Sequence, residues 1–416
     1  MDLDKKKLLV IPHYFYPDVA STGQLVTELC EELQKEFSIT VICPVPSYTG
    51  VIDKKYKNKR FYFEKYMDVN VIRVRVPEFI KGKKISRICN IIIYFINAIG
   101  AIVKSGKQDV ILTISQPPIL GGVLGVIAKK IKKAKFIYNI QDFNPEQIEV
   151  VGYFKNKIII GIARAIDKYS CRKADMIVVV GRDMKETLCK RFKKKIPNNV
   201  VINNWADDAK IYPLERENEK VIEFKKRYGL MDKFVIMYSG NLGLYYDLEN
   251  IIKVIGQFKD KDDMIFAFIG EGAVKEKLME YCTSNSISNI KFIPYQKKEN
   301  LIYSLNAGDV HLVSNMKGIK GISVPSKIYS IIAANKMVLG ILENDTEARS
   351  LIEKYHCGIC CNPGNYDDIK KSINYMYYVY KVVMNNSKNN RINDVIKRDI
   401  SKKKSISLYK EVIRTI

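Results

Sequence analysis

The sequence predicts an α/β protein made of two doubly wound domains in tandem. Three observations point there. Apolar runs of strand length recur in both halves without polar alternation, as in "KLLVIP" (7–12) and "MIFAFIG" (264–270). Strands buried on both faces of a parallel sheet read this way. Helical patterns separate them, as in "QLVTELCEELQKEF" with Leu25, Leu29, Cys30 and Leu33 on one face. The composition turns polar at "NNWADDAKIYPLERENEK" (203–220), and a second strand–helix series then begins. The expected domains are 1–208 and 209–394, with a helix over 395–416 that could pack back on the first.

The elements follow in order. After "KLLVIP" come a loop, the helix ending near Phe37 and the strand "ITVICP". Further strands are expected at "VNVIRVRV" (69–76), "DVILTIS" (109–115), "KFIYNI" (135–140), "DMIVVV" (175–180) and "NVVIN" (199–203), with helices at "GGVLGVIAKKIKK" and "IIIGIARAIDKYSCRKA". The second half reads "FVIMYSG" (234–240), "DLENIIKVIGQF", "MIFAFIG", "AVKEKLMEYCTSN", "IKFIPY", "LIYSLNAG" and "DVHLVS" (309–314). A helix from Lys327, the strand "MVLGIL" (337–342), "CGICCN" and a basic helical tail close it.

With 416 residues, 47% hydrophobic and 27% charged, the chain is globular and not disordered. Its formal charge of +24 suggests an anionic partner: nucleic acid, an acidic membrane face or a phosphorylated ligand. The apolar run in "MDLDKKKLLVIPHYFYP" is too short for a signal peptide, which points to the cytosol. The nine scattered cysteines agree. "HCGICC" (356–361) has no second ligand pair at zinc spacing and reads as a buried strand.

Ligands of doubly wound folds bind beyond the carboxyl ends of strands, so the expected site is a cleft between the two domains. Glycine loops gather at those ends. "VASTGQLV" offers Ser21 or Thr22 as a helix cap and Gly23 for close approach of a ligand. "YSGNLGLYYDLENI" and "FIGEGAVKEKL" repeat the pattern with Gly240, Gly243, Gly270 and Gly272. "GISVPSKIYS" (321–330) sets Lys327 at a helix start, where backbone N–H groups and a cation together suit a diphosphate. Neither a dinucleotide fingerprint nor a P-loop is present.

The order of "YSGNLG", "IGEGAVKEKL", "FIPYQ", "SVPSKIYSIIAANK" and "CGICCNPGN" resembles the donor domain of retaining GT-B glycosyltransferases of family 4. In the first half, "PHYFYPDVASTGQLV", "ISQPP" (114–118), "QDFNPE" (141–146) and "INNWADD" (202–208) resemble the subgroup that builds bacterial surface polysaccharides on a lipid carrier, such as the N-acetyl-fucosaminyltransferases of O-antigen assembly. The resemblance covers nearly the whole chain. It implies transfer from a UDP- or GDP-sugar, with a UDP-N-acetylhexosamine first, to a polyprenyl-diphosphate-linked saccharide. No cofactor or metal is expected, and attack from the face of the leaving group is. The implied donor-binding set is Gly23, Gly240, Asn241, Gly270, Gly272, Tyr295, Ser323, Pro325, Ser326 and Lys327.

The sequence also departs from the family. The usual E-x7-E pair falls on Ile322 and Ser330, the usual phosphate-binding arginine is Asn241, and its companion lysine is missing near Tyr246 and Asp247. Lys327 is left as the main cation for the diphosphate. The subgroup motif D-L-W-P-E reads "DFNPE". Asp142 is the choice for contact with the acceptor or reacting sugar, with helix capping as the other reading. Glu271 either touches the sugar or caps "AVKEKL". Glu146 completes a capping arrangement or joins Asp142, His13 and Thr22 at the acceptor. His13 is a turn residue or reaches the acceptor, and His311 belongs to the core.

"ICNIIIYFINAIGAIV" (88–103) carries no charge and is short for a membrane span. With "KGKKISR" before it and "KKYKNKRFYFEKY" (54–66) earlier, it suits peripheral contact with an anionic inner leaflet. A buried helix beside a solvated basic face is the alternative. No nucleic-acid module is recognisable. Two rival functions are a GT-B nucleotide-sugar epimerase and a non-catalytic partner in a polysaccharide assembly complex.

Overall fold

The computed structural model describes residues 5–80, 83–152, 156–193, 195–384 and 400–416. The chain forms two compact units. The first comprises Met1–Asn203 with Ser405–Ile416, and the second Asn204–Lys404. The division at 203/204 comes ahead of the boundary drawn at 208/209 from composition, so Trp205 and Ala206 belong to the second unit. The other expected boundary, 394/395, lies outside the described residues, as do Lys81 and Gly82 of the basic run.

The first unit runs β1 (Lys7–Ile11), α1 (Ser21–Leu33), β2 (Ser38–Pro44), β3 (Phe61–Tyr66), β4 (Val69–Val74), α2 (Lys84–Lys104), β5 (Val110–Ile114), α3 (Leu120–Lys132), β6 (Lys135–Ile140), α4 (Asn144–Val150), α5 (Lys157–Lys173), β7 (Met176–Val179), α6 (Arg182–Phe192) and β8 (Asn199–Val201). Its eight-stranded sheet has the order β3-β4-β2-β1-β5-β6-β7-β8. Leu8 pairs with Ile39 on one side and Val110 on the other. Strand order reverses between β1 and β5, so the ends of those two strands border the crevice where such sheets bind ligands.

The stretch 54–66, expected as a basic–aromatic contact surface, forms a 3-10 turn and the edge strand β3, which pairs antiparallel with β4. Its alternation is that of an edge strand: Glu64 faces inward and pairs with Arg73, while Phe63 points to solvent.

The second unit runs α7 (Glu219–Tyr228), β9 (Phe234–Ser239), α8 (Leu248–Ile255), β10 (Met264–Ile269), α9 (Lys275–Ser284), β11 (Ile290–Ile293), α10 (Leu301–Ala307), β12 (Val310–Ser314), α11 (Lys327–Ala333), β13 (Met337–Ile341), α12 (Glu347–Lys354), β14 (Gly358–Cys361) and α13 (Tyr366–Met384). Its six strands are parallel in the order β11-β10-β9-β12-β13-β14. The reversal here lies between β9 and β12. Alternate residues of β9 serve opposite cores: Phe234, Ile236 and Tyr238 on one face, Val235 and Met237 on the other. The cysteine-rich run forms β14, a strand as expected, but at the sheet edge it is only partly buried, with Cys361 alone of its four residues in the core.

The last helix, α14 (Lys402–Thr415), belongs from Ser405 onward to the first unit. Asn139 Nδ2 donates to Tyr409 Oη at 2.5 Å, and Lys6 Nζ donates to the Ile413 carbonyl at 2.7 Å. Both fasten it to the first unit.

Candidate active site

In the second unit the two loops after β9 and β10 pack backbone to backbone. Leu242 N donates to the Glu271 carbonyl at 2.9 Å, and Val274 N to the Leu242 carbonyl at 3.1 Å. Gly240 and Gly270 both have φ +141, a conformation L side chains rarely adopt. A Cβ on Gly270 would sit 2.0 Å from the Gly240 carbonyl oxygen. These glycines are needed first to bring the loops together. Gly240 then opens on a different neighbour: its Cβ would meet Lys327 Cε and Nζ at 3.4 Å.

Lys327 starts α11, a seven-residue helix whose N-cap Ser326 makes no side-chain capping bond. Lys327 Nζ is buried and has no hydrogen-bond partner. It lies 3.4 Å from the Tyr238 ring centroid and 4.9 Å from that of Tyr246. Burial without a counter-charge pushes its pKa well below the lysine range. The Tyr238 hydroxyl donates to the Asn241 carbonyl at 2.8 Å, which locks one wall of the cage to the glycine loop. On the other side Met316 N donates to the Tyr245 carbonyl, and Glu343 accepts from the Gly318 and Lys320 amides, fixing the loop that leads to Lys327.

The other expected donor residues divide. Asn241 is exposed, Ser323 is partly buried and Pro325 is buried on the same loops. Tyr295 stands half-exposed beyond β11, an edge strand away from the β9/β12 reversal. Glu271 does not cap α9, whose N-cap is Val274. Its side chain, 59% exposed, pairs with Lys275 at 2.7 Å.

In the first unit Asp142 follows β6. The N-cap of α4 is Phe143, with no side-chain cap. This removes the capping reading of Asp142. Its Oδ1 accepts from Gln147 Nε2 at 3.2 Å, and its amide donates to Ser115 Oγ at 3.2 Å. Burial raises its pKa to about 6, against the opposing hydrogen bonds from Gln147 and Gln116. Two strands away, beyond β1, His13 is buried edge-on to Tyr14 and Tyr94, with ring centroids at 4.5 and 5.0 Å. Burial, then the charge of Arg87, lowers its pKa to about 3, and its Nδ1 has no partner. The imidazole is therefore neutral, and its unpartnered Nδ1 is enclosed beside the β1/β5 reversal. His311 is core as expected, its Nε2 2.9 Å from the Leu305 carbonyl.

Three expectations here need correction. Helix α1 is capped by Ala20 without a side-chain bond, so neither Ser21 nor Thr22 is its cap. Both lie in its first turn. Gly23 makes room for a protein group: a Cβ there would lie 2.9 Å from Tyr14 Cβ. Glu146 likewise caps nothing. Its carboxylate bonds Arg191, which also holds Asp167 at 2.6 Å, and Arg164 at 3.2 Å. Arg191 lies 4.1 Å from the Phe143 ring centroid. This network ties α4, and with it the Asp142 loop, to α5 and α6. The sequence shows these charges but not their pairing, because the partners lie far apart in the chain.

Residues 22–210 match the model described as Glycosyltransferase Family 4, and residues 220–392 that of Glycosyl transferases group 1. The chain is 27% identical over 374 residues to the probable glycosyltransferase WbjE of Pseudomonas aeruginosa, covering 86% of each. It is 27% identical over 241 residues to the putative colanic acid biosynthesis glycosyl transferase WcaI of Escherichia coli K12, covering 56% of this chain and 58% of that one. Among solved structures, Anabaena HepE in complex with UDP-glucose superposes with a TM-score of 0.70 at 11% identity, over 99% of this chain and all of that one. With a family 4 domain followed by a group 1 domain, each a Rossmann-like sheet, the chain is a GT-B glycosyltransferase.

Proposed function

We propose that the protein moves a sugar, of the N-acetylhexosamine type, from a nucleotide diphosphate to a polyprenyl-diphosphate-linked saccharide during surface-polysaccharide synthesis, with retention of configuration. The observation that carries this is the buried, unpartnered Lys327 amine beside Gly240 at the β9/β12 reversal. An amine already buried without an acceptor gains a charged partner when an anion arrives, at little further desolvation of its own. The UDP-glucose held by HepE supports a nucleotide-sugar donor, and the naming of the Escherichia coli relative supports a polysaccharide product.

In this reading Lys327 and the loop amides hold the diphosphate and stabilise the charge that builds as its bond to the anomeric carbon breaks. The acceptor hydroxyl attacks from the same side, and a leaving-phosphate oxygen takes its proton. Asp142 and His13 orient the acceptor. No metal is assigned a part, and the absence of the E-x7-E pair at Ile322 and Ser330 leaves the ribose without its usual carboxylate partner.

The test is a mass-spectrometric transfer assay. A panel of UDP- and GDP-sugars is offered with synthetic polyprenyl-diphosphate N-acetylglucosamine and EDTA. A gain of one sugar on the acceptor is expected from a UDP-N-acetylhexosamine. An epimerised donor formed without acceptor, or donor binding with no product from any acceptor, would replace this reading with an epimerase or a non-catalytic partner.

A further inference from the structure

Helices α2, α3 and α5 cover one face of the first unit's sheet, since the β4-to-β5, β5-to-β6 and β6-to-β7 crossovers all run in the same direction along it. Helix α3 is sunk between its neighbours. A Cβ on Gly125 would lie 2.1 Å from the Phe136 ring, and one on Gly122 2.8 Å from Ser170 of α5. The glycines let α3 drop onto the sheet, so α2 and α5 stand out as two ridges.

The outer sides of both ridges are aliphatic. On α2, Ile85, Ile88, Ile92, Ile96 and Val103 face solvent, Ile85 with 78% of its surface exposed. On α5, Ile158, Ile159, Ile162, Ile166 and Tyr169 do the same, Ile158 at 73%. Both sets follow the three-to-four residue spacing of a single helix face. Isoleucine occupies positions where a solvated helix carries charge, and apolar patches of this extent mark an interaction surface.

Helix α2 is long and apolar enough to cross a membrane by length and composition, and only 33% of its apolar window is buried. Its inner side nonetheless holds it in the unit. Asn90 Nδ2 donates to the Pro77 carbonyl at 2.6 Å and Tyr94 Oη to the Pro12 carbonyl at 3.0 Å. Asn97 accepts from Arg60 Nε at 2.8 Å and donates to the Arg75 carbonyl at 2.7 Å. A helix fixed this way along one side and apolar along the other lies on a bilayer rather than through it.

Charge names the occupant. The carboxyl ends of the three helices bring Lys104, Lys107, Lys130, Lys133 and Lys173 to the rim of the ridges, all exposed. Lys107, Lys130, Lys133 and Lys173 also line a groove of about 780 Å³ there, with Asp109 and Asp175 as its acidic residues. An aliphatic face with almost no polar group to fix a register, rimmed by lysine, suits a fluid anionic surface.

We infer that the outer faces of α2 and α5 together form a monotopic docking surface for an anionic phospholipid bilayer. This does not depend on which sugar is transferred. It rests on exposed residues of the first unit alone, and α5 extends it beyond the hydrophobic stretch that the sequence singles out.

The full chain is sedimented with phosphatidylcholine vesicles with and without phosphatidylglycerol. Wild type is compared with Ile88→Ser/Ile92→Ser, with Ile158→Ser/Ile162→Ser and with all four together. The expected result is binding that needs phosphatidylglycerol, weakens with salt and falls about tenfold or more for each pair. Unchanged melting temperatures show that the exposed substitutions leave the fold intact. Wild type that ignores the anionic vesicles, or a quadruple variant that binds like wild type, overturns the inference. So does a wild-type dimer that the substitutions split, which would give the face to a second copy. Donor calorimetry on the same samples keeps this outcome separate from that of the transferase reading, because the vesicles carry no acceptor.

Discussion

Lys327 Nζ sits 3.4 Å from the centroid of the Tyr238 ring and has no hydrogen-bond acceptor. The contact is a cation–π arrangement, but the ring cannot replace the water the ammonium has lost. The free protein therefore holds a destabilised amine at the place proposed for the donor diphosphate.

Removing that amine should not harm the fold. Lys327→Met keeps the aliphatic stem and deletes an unpartnered polar atom, a change of the kind that is nearly neutral or stabilising. Its melting temperature is expected to equal or exceed that of wild type in scanning calorimetry. A clear loss of stability would show that Nζ has a structural partner.

Donor binding should take up protons. Lys327 titrates below its ordinary value of 10.5 in the free protein because of burial. Tyr238 and Tyr246 flank it, and His311 nearby is held neutral, its own pKa pushed down to about 3 by burial. A bound diphosphate favours the ammonium and raises the pKa, so in the window between the depressed value and the raised one, binding is accompanied by protonation and weakens as pH rises. Calorimetry in buffers of different ionisation enthalpy measures the uptake. Zero uptake throughout the range would mean that Lys327 is already charged.

Asp142 sets a limb on the acid side. With a pKa near 6 raised by burial, its carboxylate forms as pH rises through that value. Turnover is expected to climb across the same range, and Asp142→Asn to abolish that limb and lower kcat. The raised pKa also means that the ionised form is disfavoured in the fold, so stability from this group is lost as pH rises from the unfolded value of about 3.8 through 6. Asp142→Asn should accordingly melt no lower than wild type at neutral pH.

Arg191 should matter to stability more than any exposed ion pair. It holds Glu146 and Asp167, and its side chain and that of Asp167 are almost fully buried. Arg191→Met leaves Asp167 charged with no cation, a change that costs on the order of 3–5 kcal/mol. Denaturant unfolding measures it. The exposed pair Arg227–Glu223 serves as a control, with a change within about 1 kcal/mol.

The parallel strands were legible because burial on both faces leaves apolar runs, and the strand-end glycines marked the loops that meet at Gly240 and Gly270. Strand β3 was not, because an edge strand with one wet face alternates Lys, Glu and aromatic residues and looks like a solvated patch. Capping assignments failed at Thr22, Asp142, Glu146 and Glu271 for one reason. Local spacing offers a carboxylate or hydroxyl to the nearest helix, but Gln147, Arg191 and Lys275 took up the three carboxylates. Lys327 was legible as a lysine at a helix start. Its aromatic cage was not, since Tyr238 and Tyr246 lie some eighty residues earlier and meet it only through the β9–β12 pairing.

The most direct measurement is calorimetric titration of a UDP-N-acetylhexosamine, with EDTA present, into wild type and Lys327→Met. The expected result is metal-independent binding to wild type that weakens about tenfold to a hundredfold in the variant, as for loss of a hydrogen bond to a charged group. Equal affinity in the two proteins would contradict the assignment of Lys327 to the diphosphate.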